Sequence, residues 1–439
     1  MIRQTILEFK LGKTDETLTA HGGLALFGEY NRGIGLRELV NKYLPAPGSN
    51  RGYAPSTYVE SIVLMLQGGG RHLEDIRVLE REAALMKLMG LDNIPDPDSA
   101  GDWLRRMGDS KTGQAGLHGL GRVRDAVNQR IMRREKISAY TLDADATLIS
   151  GEKRDAHMSY KGVVGYMPML GFLFENGLCL LDEFRDGNVS PGAGQAVFYR
   201  ECKNRMPYGK RIGAYRADSA SYVAELINEL EADKAVWAIT ADQDVAVKAL
   251  IKSIPEDEWK EPEAGCGYWL AETVHTMNKT DKAFRLVVKR WEKEREDLFE
   301  TPGNPYAYHA VASNWTPDKK DALEVLKWHN QRGEAENFNK ELKNGFGMEQ
   351  MPCGGSTANA VFFRIGAIAY NLFMGFKRLS SLEGWERHTI ATFRWKLMQV
   401  AGRIVRHAGR VILRLCVSDE ELNRMVGIRR DCFKLALVT

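Results

Sequence analysis

Cysteine is scarce in this sequence, and its spacing matches neither a disulfide framework nor a zinc site. Six cysteines are spread over 439 residues, with no Cys-x2-Cys pair and no close cysteine–histidine pairing. Disulfide-stapled domains and structural zinc modules both depend on such close spacings. Both classes are therefore excluded, and a reducing cytoplasm is the expected compartment.

Long hydrophobic runs and several common catalytic signatures are also absent. No stretch reaches the roughly 18 apolar residues of a membrane span, and the N-terminus lacks the apolar segment of a secretory signal. There is no Gly-x-Ser-x-Gly, His-Glu-x2-His or cysteine–histidine nucleophile pattern, and the glycines at 68–70 lack the lysine of a phosphate-binding loop. A soluble intracellular protein without a membrane partner is predicted.

Net charge is small, but its distribution is uneven. The formal charge is +3, from 61 lysines and arginines against 58 acids. Residues 394–418 contain six cations and no acid, and residues 122–136 contain six cations and two acids. Such basic segments suit contacts with backbone phosphates, although a solvated face is the commoner explanation for either one alone.

The pattern along the chain predicts five regions with different structure. Residues 1–136 read as helices, one of them capped by Asp96 with Pro97 at its first position. This region is either a helix-turn-helix-like DNA-binding unit or a generic helical domain. Residues 137–254 are predicted to be mixed strands and helices, and residues 255–315 a β-rich insertion. Residues 316–380 are predicted to contain helices that begin at Thr316 and Pro317, and residues 381–439 to be a basic end with a hairpin about Ala408 and Gly409.

The second region predicts the fold class. Strand patterns cover 137–150, 165–187 and 210–218, and the middle one is a hairpin that turns at Glu175, Asn176 and Gly177. A helix (221–233) and another strand (235–240) follow. This order predicts an α/β protein with a ribonuclease-H-like mixed sheet, flanking helices, a β-rich insertion and an N-terminal all-helical domain.

Acidic side chains occur inside these apolar strands. Asp143 and Asp145 are two residues apart, so both side chains point to one face of a strand, and Asp218 ends another strand. Strand interiors are depleted in aspartate, and a divalent metal ion is one partner that stabilises several buried carboxylates. The competing interpretation is structural, with exposed edge-strand acids and Asp218 as a helix cap.

A third carboxylate lies among cations near residue 336. If residues 329–343 form one helix, then His329, Arg332, Glu336 and Lys343 share a face. Glu334 lies about 200° around that helix from Glu336. Two strand acids and a helical glutamate predict a hard-oxygen site for Mg²⁺ or Mn²⁺, with two ions suited to in-line phosphoryl transfer.

Three separated motifs resemble those of the DDE transposases of bacterial insertion sequences. They are Asp145-Ala-Thr147, Asp218 in Arg-Ala-Asp-Ser, and a helix with the spacing Arg-x3-Glu-x6-Lys. More narrowly, the chain is similar to the subgroup with the signature Tyr-x2-Arg-x3-Glu-x6-Lys, and His329 stands where that subgroup has tyrosine. The resemblance covers about residues 20–415, including the segments Leu-Asp-Ala-Asp-Ala-Thr (142–147) and Leu-Leu-Asp-Glu-Phe-Arg-Asp-Gly-Asn (180–188).

The resemblance implies roles for particular residues. Asp145, Asp218 and Glu336 would be catalytic and hold the metal, with Asp143 as an alternative ligand. Contacts with DNA would come from the subgroup helix and from the C-terminal hairpin, through His329, Arg332, Lys343, Arg403, Arg410 and Arg414. Residues 1–136 would bind DNA, and residues 137–254 and 316–380 would form the catalytic core. Aromatic residues of the insertion would hold a flipped base, with Trp259, Trp291 and Trp315 as candidates and core packing as the competing interpretation.

The resemblance also implies an activity. The protein would bind the terminal inverted repeats of its own element, cut them by metal-assisted hydrolysis and join the 3′-hydroxyls to target DNA, by cut-and-paste movement through hairpinned ends. A homodimer on paired double-stranded DNA ends, associated with the bacterial nucleoid, is implied. Two alternatives remain, a ribonuclease-H-like DNA nuclease without strand transfer and a catalytically silent DNA-binding descendant.

Overall fold

The N-terminal part of the chain is helical. The structure, a computed structural model, describes residues 10–49, 52–293 and 305–438. Asp96 caps α6 by accepting a hydrogen bond from the Ser99 amide, and Pro97 is its first residue, as predicted. Helices α4 and α5 are separated at Glu82, whose ψ is 30°. The elements are β1 (Leu18–Thr19), α1 (Leu24–Gly33), α2 (Leu36–Tyr43), α3 (Pro55–Gly68), α4 (Ile76–Arg81), α5 (Ala83–Leu88), α6 (Pro97–Met107) and α7 (Ala115–Met132).

A mixed sheet follows these helices. Its first strands contain the predicted hairpin, and its later strands alternate with helices. The elements are β2 (Ala139–Ala146), β3 (Ile149–Ser150), β4 (His157–Met158), β5 (Val164–Tyr166), β6 (Met169–Leu173), β7 (Cys179–Glu183), α8 (Gln195–Asn204), β8 (Arg211–Ala217), α9 (Ala224–Ala232), β9 (Val236–Thr240), α10 (Val245–Lys252), β10 (Trp269–His275), β11 (Phe284–Glu292) and β12 (Tyr306–Ser313).

The sheet confirms the predicted fold class. Its eight strands have the order β10-β11-β12-β9-β8-β2-β6-β7. Strands β2, β8 and β9 run parallel, whereas β6 and β7 are antiparallel to their neighbours. This is the ribonuclease-H-like arrangement, an antiparallel meander continued by two parallel strands. The β-rich segment extends the same sheet, because Val311 to Ser313 of β12 pair with Ala238 to Thr240 of β9.

The remaining elements include the longest helix of the described chain. They are α11 (Ala322–Asn330), α12 (Gly333–Lys340), α13 (Ser356–Phe376), α14 (Ile390–Phe393), β13 (Gly402–His407), β14 (Arg410–Leu415) and α15 (Asp419–Ala436). Helix α13 is the one described helix long and apolar enough to cross a membrane, and 94% of its most apolar window is buried inside the protein. It packs against α3, α6, α7 and β7, which is the environment of a core helix.

The hydrophobic core runs through all five predicted regions. One cluster of buried side chains extends from Leu24 in α1 to Leu435 in α15. The C-terminal hairpin turns at Ala408 and Gly409, which have φ values of 47° and 74°, and its strand β13 pairs with β1. The predicted regions therefore differ in secondary structure but share one core.

Candidate active site

Register brings the first two acids of the candidate site together. Strands β2 and β8 are parallel, and Ala144 pairs with Ala217. Asp145 and Asp218 follow these two residues directly, so they lie side by side at the carboxyl ends of their strands. Asp218 also accepts a hydrogen bond from the Ala220 amide at 3.0 Å, which caps a short 3₁₀ turn. Asp218 therefore both caps this turn and occupies the predicted site position beside Asp145.

Helix α12 brings the third acid over the end of β2. The Arg332 guanidinium lies between two carboxylates, with Nη1 3.9 Å from Asp145 Oδ1 and Nη2 3.7 Å from Glu336 Oε1. Asn339 Nδ2 donates to Asp145 Oδ2 at 3.3 Å. Lys343 Nζ donates to the Leu148 carbonyl at 2.9 Å, immediately after the Asp145-Ala-Thr147 motif. The two motifs are thus in direct contact.

Negative charge accumulates around Asp145. Burial and the charge of Asp218 together raise its pKa to about 6, although Arg332 opposes the shift. The charge of Glu336 also raises this pKa, which places all three acids within electrostatic reach of one another. The side chain of Glu336 is 54% exposed, so this acid faces the surface from which a substrate would approach.

The chemistry of these donors fits a divalent cation, but the side chains are not gathered around a single point. Carboxylate oxygens are the ligands that Mg²⁺ and Mn²⁺ prefer. The Asn339 amide donates to Asp145 through Nδ2, while its Oδ1 atom is buried and has no hydrogen-bond partner. Within the described ranges, no three histidine, cysteine or acidic side chains are grouped closely enough to hold a metal. In this arrangement Arg332 supplies the positive charge between Asp145 and Glu336.

Asp143 has a structural partner. It is 1% exposed and forms a bidentate ion pair with Arg216, with Nε–Oδ1 at 2.8 Å and Nη2–Oδ2 at 2.9 Å. Arg216 also donates to the Trp328 carbonyl at 2.9 Å and to Gln331 Oε1 at 3.1 Å. Asp143 is therefore an anchor that ties β2 and β8 to the end of α11, and its use as an alternative metal ligand conflicts with this pairing.

His329 lies beneath the site. Its side chain is 4% exposed, and Nε2 is 3.2 Å from the Ala217 carbonyl and 3.3 Å from Thr240 Oγ1. Burial lowers its pKa to about 4, so the imidazole is neutral at pH 7. The predicted contact of His329 with DNA does not fit this geometry, because the ring holds α11 against the ends of β8 and β9.

The helices predicted to begin at Thr316 begin later, and residues 329–343 do not form one helix. Helix α11 begins after Asp321, whose side chain accepts from the Glu324 amide while Glu324 accepts from the Asp321 amide. This reciprocal cap stabilises a later start than the one predicted at Thr316. The helix is then interrupted at Gln331 and Arg332, and α12 ends in a π-helical turn (Glu341–Gly345). The interruption separates His329 from the face that carries Glu336.

Some arginines of the two basic segments bond within the protein, whereas others are exposed. Arg394 is half-buried and donates to the Gln67 carbonyl at 2.9 Å, and burial lowers its pKa to about 10. Arg124 is 1% exposed and pairs with Asp182. Both guanidinium groups therefore stabilise the fold, and Arg124 is too deeply buried to contact phosphate.

The predicted DNA-contacting arginines of the C-terminal hairpin lie on a separate three-stranded sheet with β1. Arg403 and Arg414 are register partners, and Arg403 pairs with Glu16 at 3.1 Å. Arg410 and Arg414 are exposed on β14. The structure therefore does not join these three arginines to the acids of the central sheet.

The three candidate tryptophans differ in environment. Trp259 is 9% exposed with Arg290 over its ring at 4.3 Å, and Trp315 packs against Trp328. Trp291 is 37% exposed on β11. Core packing therefore explains the first two, and Trp291 is the one with an accessible ring.

Sequence reasoning missed several residues that shape the site. Asn339 contacts Asp145, and its position three residues after Glu336 on the same helical face was the available signal. Arg216 directly precedes the Ala-Asp motif, but nothing in the sequence indicates that Asp143 is its partner. Lys289 and His309 are register partners on β11 and β12, and the His309 ring lies 6.0 Å from the His329 ring.

Comparison with known proteins gives a family match. The family model described as "Transposase DDE domain group 1" matches residues 8–427. No curated protein matches the chain. Among solved structures, the chain is similar to the cryo-EM structure of the piggyBac transposase synaptic complex with hairpin DNA, at 12% identity and a TM-score of 0.45, over 86% of this chain and 79% of that one.

Proposed function

Because this chain belongs to the transposase DDE domain group 1 family, whose model matches residues 8–427, we propose that it is the DNA transposase of an insertion sequence. It binds the terminal inverted repeats of its element, cuts there and joins the 3′ ends to target DNA. The observation that carries the proposal is that Asp145 and Asp218 lie side by side at the ends of parallel strands, with the Arg332 guanidinium between Asp145 and Glu336.

Asp145, Asp218 and Glu336 are the residues that would hold Mg²⁺ or Mn²⁺, as a pair of ions. When bound, such ions activate an attacking hydroxyl and stabilise the leaving oxygen of an in-line phosphoryl transfer. The residues of the chain supply the rest. Asn339 orients Asp145 through its amide, and Arg332 counters the acidic charge until DNA enters.

Arg332 and Lys343 are placed for different parts of the DNA strand. Arg332 is 20% exposed and stands between two of the acids, so its guanidinium can pair with the phosphate next to the cut bond. Lys343 is held by the Leu148 carbonyl, and burial lowers its pKa. A nearby phosphate would favour its charged form.

A basic and aromatic strip on β11, three strands from β8 in the same sheet, supplies a second contact with DNA. Lys289 Nζ lies 4.2 Å from the Tyr268 ring and 5.6 Å from the Trp291 ring, and His309 is its register partner. Lysine interleaved with aromatic rings suits a nucleic-acid strand, because the rings stack on bases and the cation pairs with phosphate. Trp291 is the residue that we propose stacks on a displaced base.

The C-terminal hairpin completes the proposed DNA contacts. Arg403, Arg410 and Arg414 lie on β13 and β14, outside the central sheet. A contact there would reach DNA away from the cut bond and contribute affinity without sequence specificity. Two element ends require two copies of the protein, so we propose a homodimer on paired double-stranded DNA.

Cleavage and joining assays test this function. Purified protein is incubated in Mg²⁺ with linear DNA that carries the inverted repeats found beside its gene, and with a target plasmid. Glu336→Gln is expected to abolish cut and joined products while retaining binding to the ends. Glu334→Gln is the matched control, because Glu334 lines a different cleft on α12 and should leave both products unchanged.

Two results would contradict the proposal. Cut ends without any joined product, even from pre-cleaved DNA, would indicate a nuclease that lacks strand transfer. End binding without cleavage in Mg²⁺ or Mn²⁺ would indicate a DNA-binding descendant that has lost its chemistry.

A further inference from the structure

Helix α15 is apolar on two faces, and the described residues of the chain cover only one of them. Its buried face consists of Met425, Ile428, Cys432 and Leu435, and the helix packs on α1. A second set of apolar side chains points to solvent. Leu422 is 44% exposed, Val426 46% and Phe433 64%, with Leu437 at 70% beyond them.

The exposed side chains form one stripe. At about 100° per residue, Leu422, Val426, Phe433 and Leu437 lie within an arc of about 60° on the helix surface. A stripe this narrow over several turns is the spacing of a helix–helix contact. We call these four residues the outer stripe of α15.

Arg429 lies on the same side of α15 as the outer stripe, but its guanidinium points towards α1. Arg429 Nε donates to Glu29 Oε2 of α1 at 2.6 Å, so this charge is paired within the same molecule. The middle of the stripe can therefore be covered by apolar groups without burying an unpaired charge. This arrangement favours a partner that is apolar over one that is anionic.

The charges beside the stripe differ between its two ends. Asp419 lies at its edge in the first turn of α15, whereas Arg430 and Lys434 lie beside its second half. Lys434 Nζ is also 3.6 Å from Asp431 Oδ1 of the same helix. Two such helices packed antiparallel place the acidic turn of each beside the basic half of the other. The helix dipoles are also opposed in that arrangement, which is favourable.

From these observations we propose that the outer stripe is a homodimer interface, in which α15 packs antiparallel against α15 of a second copy of this chain. A two-fold axis between Gly427 and Ile428 sets Leu422 against the partner copy's position 433. The same axis brings Asp419 near the partner copy's position 434. The inference deepens the proposed function, which requires two copies for two DNA ends, but the stripe itself is independent of any reaction.

The expected dimer is reversible. Each helix has 18 residues, and a single helix pair covers less than the roughly 800 Å² per partner of a standard stable interface. Dimer formation should therefore depend on protein concentration in the absence of DNA. Sedimentation velocity of the full chain over a concentration series measures it directly.

Two sets of variants test the surface. Phe433→Ser and the double variant Leu422→Ser with Phe433→Ser should be monomeric at concentrations where the unchanged protein is dimeric. Trp395→Ser is the matched control, because Trp395 is an aromatic residue 77% exposed outside α15, and it should leave the dimer unchanged. Thermal unfolding establishes that each variant is folded.

Charge exchange tests the antiparallel direction. Asp419→Lys and Lys434→Glu should each weaken the dimer, and the variant carrying both changes should restore it, because the opposite charges then meet again. Failure of the double variant to recover would overturn the antiparallel arrangement. A chain that is monomeric at all concentrations, or a Phe433→Ser variant that dimerises like the unchanged protein, would overturn the interface.

The outcome is separable from the proposed activity. Glu336→Gln should dimerise like the unchanged protein even though its cleavage is lost. A dimer without any cleavage would therefore disprove the transposase function and leave the interface in place. If the protein cleaves DNA but its outer-stripe variants still dimerise, the interface is disproved and the transposase function remains.

Discussion

Asp143 and Asp145 lie two residues apart on β2, and each faces an arginine, yet the two pairs differ in every physical respect. Asp143 and Arg216 are 1% and 0% exposed and are joined by two hydrogen bonds of 2.8 and 2.9 Å. Asp145 and Arg332 are 24% and 20% exposed, and their nearest charged atoms are 3.9 Å apart. The first pair is committed to the fold, whereas the second can exchange its partner for a substrate.

The difference shows how one strand serves stability and chemistry at once. The buried pair fixes the end of α11 through the Trp328 carbonyl and Gln331, and Arg332 follows directly in the chain. The position of Arg332 beside Asp145 therefore depends on the buried pair of Asp143 and Arg216. Mutations at the two aspartates should therefore affect different measurements.

The largest expected effect is on cleavage at the loose pair. Asp145→Asn should reduce the rate of DNA cleavage by about three orders of magnitude or more, the scale seen when one member of a catalytic group is removed. Stability should not fall, because the variant loses one long ion contact. Cleavage kinetics and thermal unfolding of the same preparation measure both quantities. An Asp145→Asn variant that unfolds at lower temperature and still cuts DNA would reverse the assignment of the two pairs.

The next effect is on stability at the buried pair. Asp143→Ala should lower the free energy of unfolding by about 3 to 5 kcal/mol, because Arg216 is left charged and buried. Arg216→Lys is the conservative control and should cost less, since lysine keeps the charge but cannot bond in a bidentate way. Denaturant unfolding measures both. Equal losses in Asp143→Ala and Asp145→Ala would remove the distinction between the pairs.

A smaller effect is expected in the pH dependence of stability. The pKa of Asp145 is raised from 3.8 to about 6 by burial and by Asp218, so the folded state holds this proton more tightly than the unfolded state. Stability is therefore present below about pH 4 and is lost as the pH rises to about 6, by about 1 to 3 kcal/mol.

Unfolding across this window tests the assignment. Burial raises the pKa of Asp143 to about 6 as well, so both acids contribute in the same direction. Asp145→Asn should flatten the dependence in part, and the remaining slope should come from Asp143. An unchanged slope in Asp145→Asn would contradict the raised pKa.

The smallest effect concerns a similar contrast between arginines elsewhere. Arg410 and Arg414 are exposed, whereas Arg394 of the same basic segment is half-buried and bonded to the Gln67 carbonyl. Replacing both exposed residues with glutamine should weaken DNA binding several-fold and reduce the slope of log affinity against log salt by about 2. Titrations at several salt concentrations measure the slope. A slope equal to that of the unchanged protein would exclude the hairpin as a phosphate contact.

The parts of the structure that the sequence predicts are those set by local pattern. Alternating strands and the glycine-containing turn at Ala408 and Gly409 follow from residue type alone. The position of Asp145 beside Asp218 follows from two parallel strands that end at the same edge. The cap at Asp96 is likewise a local signal, and it is confirmed.

The parts that the sequence does not predict depend on distant neighbours. His329 is buried because the Ala217 carbonyl and Thr240 lie against it, and neither is near it in sequence. The partner of Asp143 is Arg216, which a pattern of spaced acids cannot reveal. The break at Gln331 and Arg332 accompanies the bonds that Arg216 makes to Trp328 and Gln331, and helical periodicity carries no information about them.

Helix α13 also determines when the N-terminal helices can finish folding. It packs against α3, α6 and α7, but more than two hundred residues separate the end of α7 from its first residue, Ser356. At usual synthesis rates those residues take roughly ten to forty-five seconds to emerge from the ribosome. During that interval the apolar faces that α13 will cover remain in water. A nascent chain of this protein therefore depends on chaperones, or on its own transient contacts, until α13 has been made as far as Phe376.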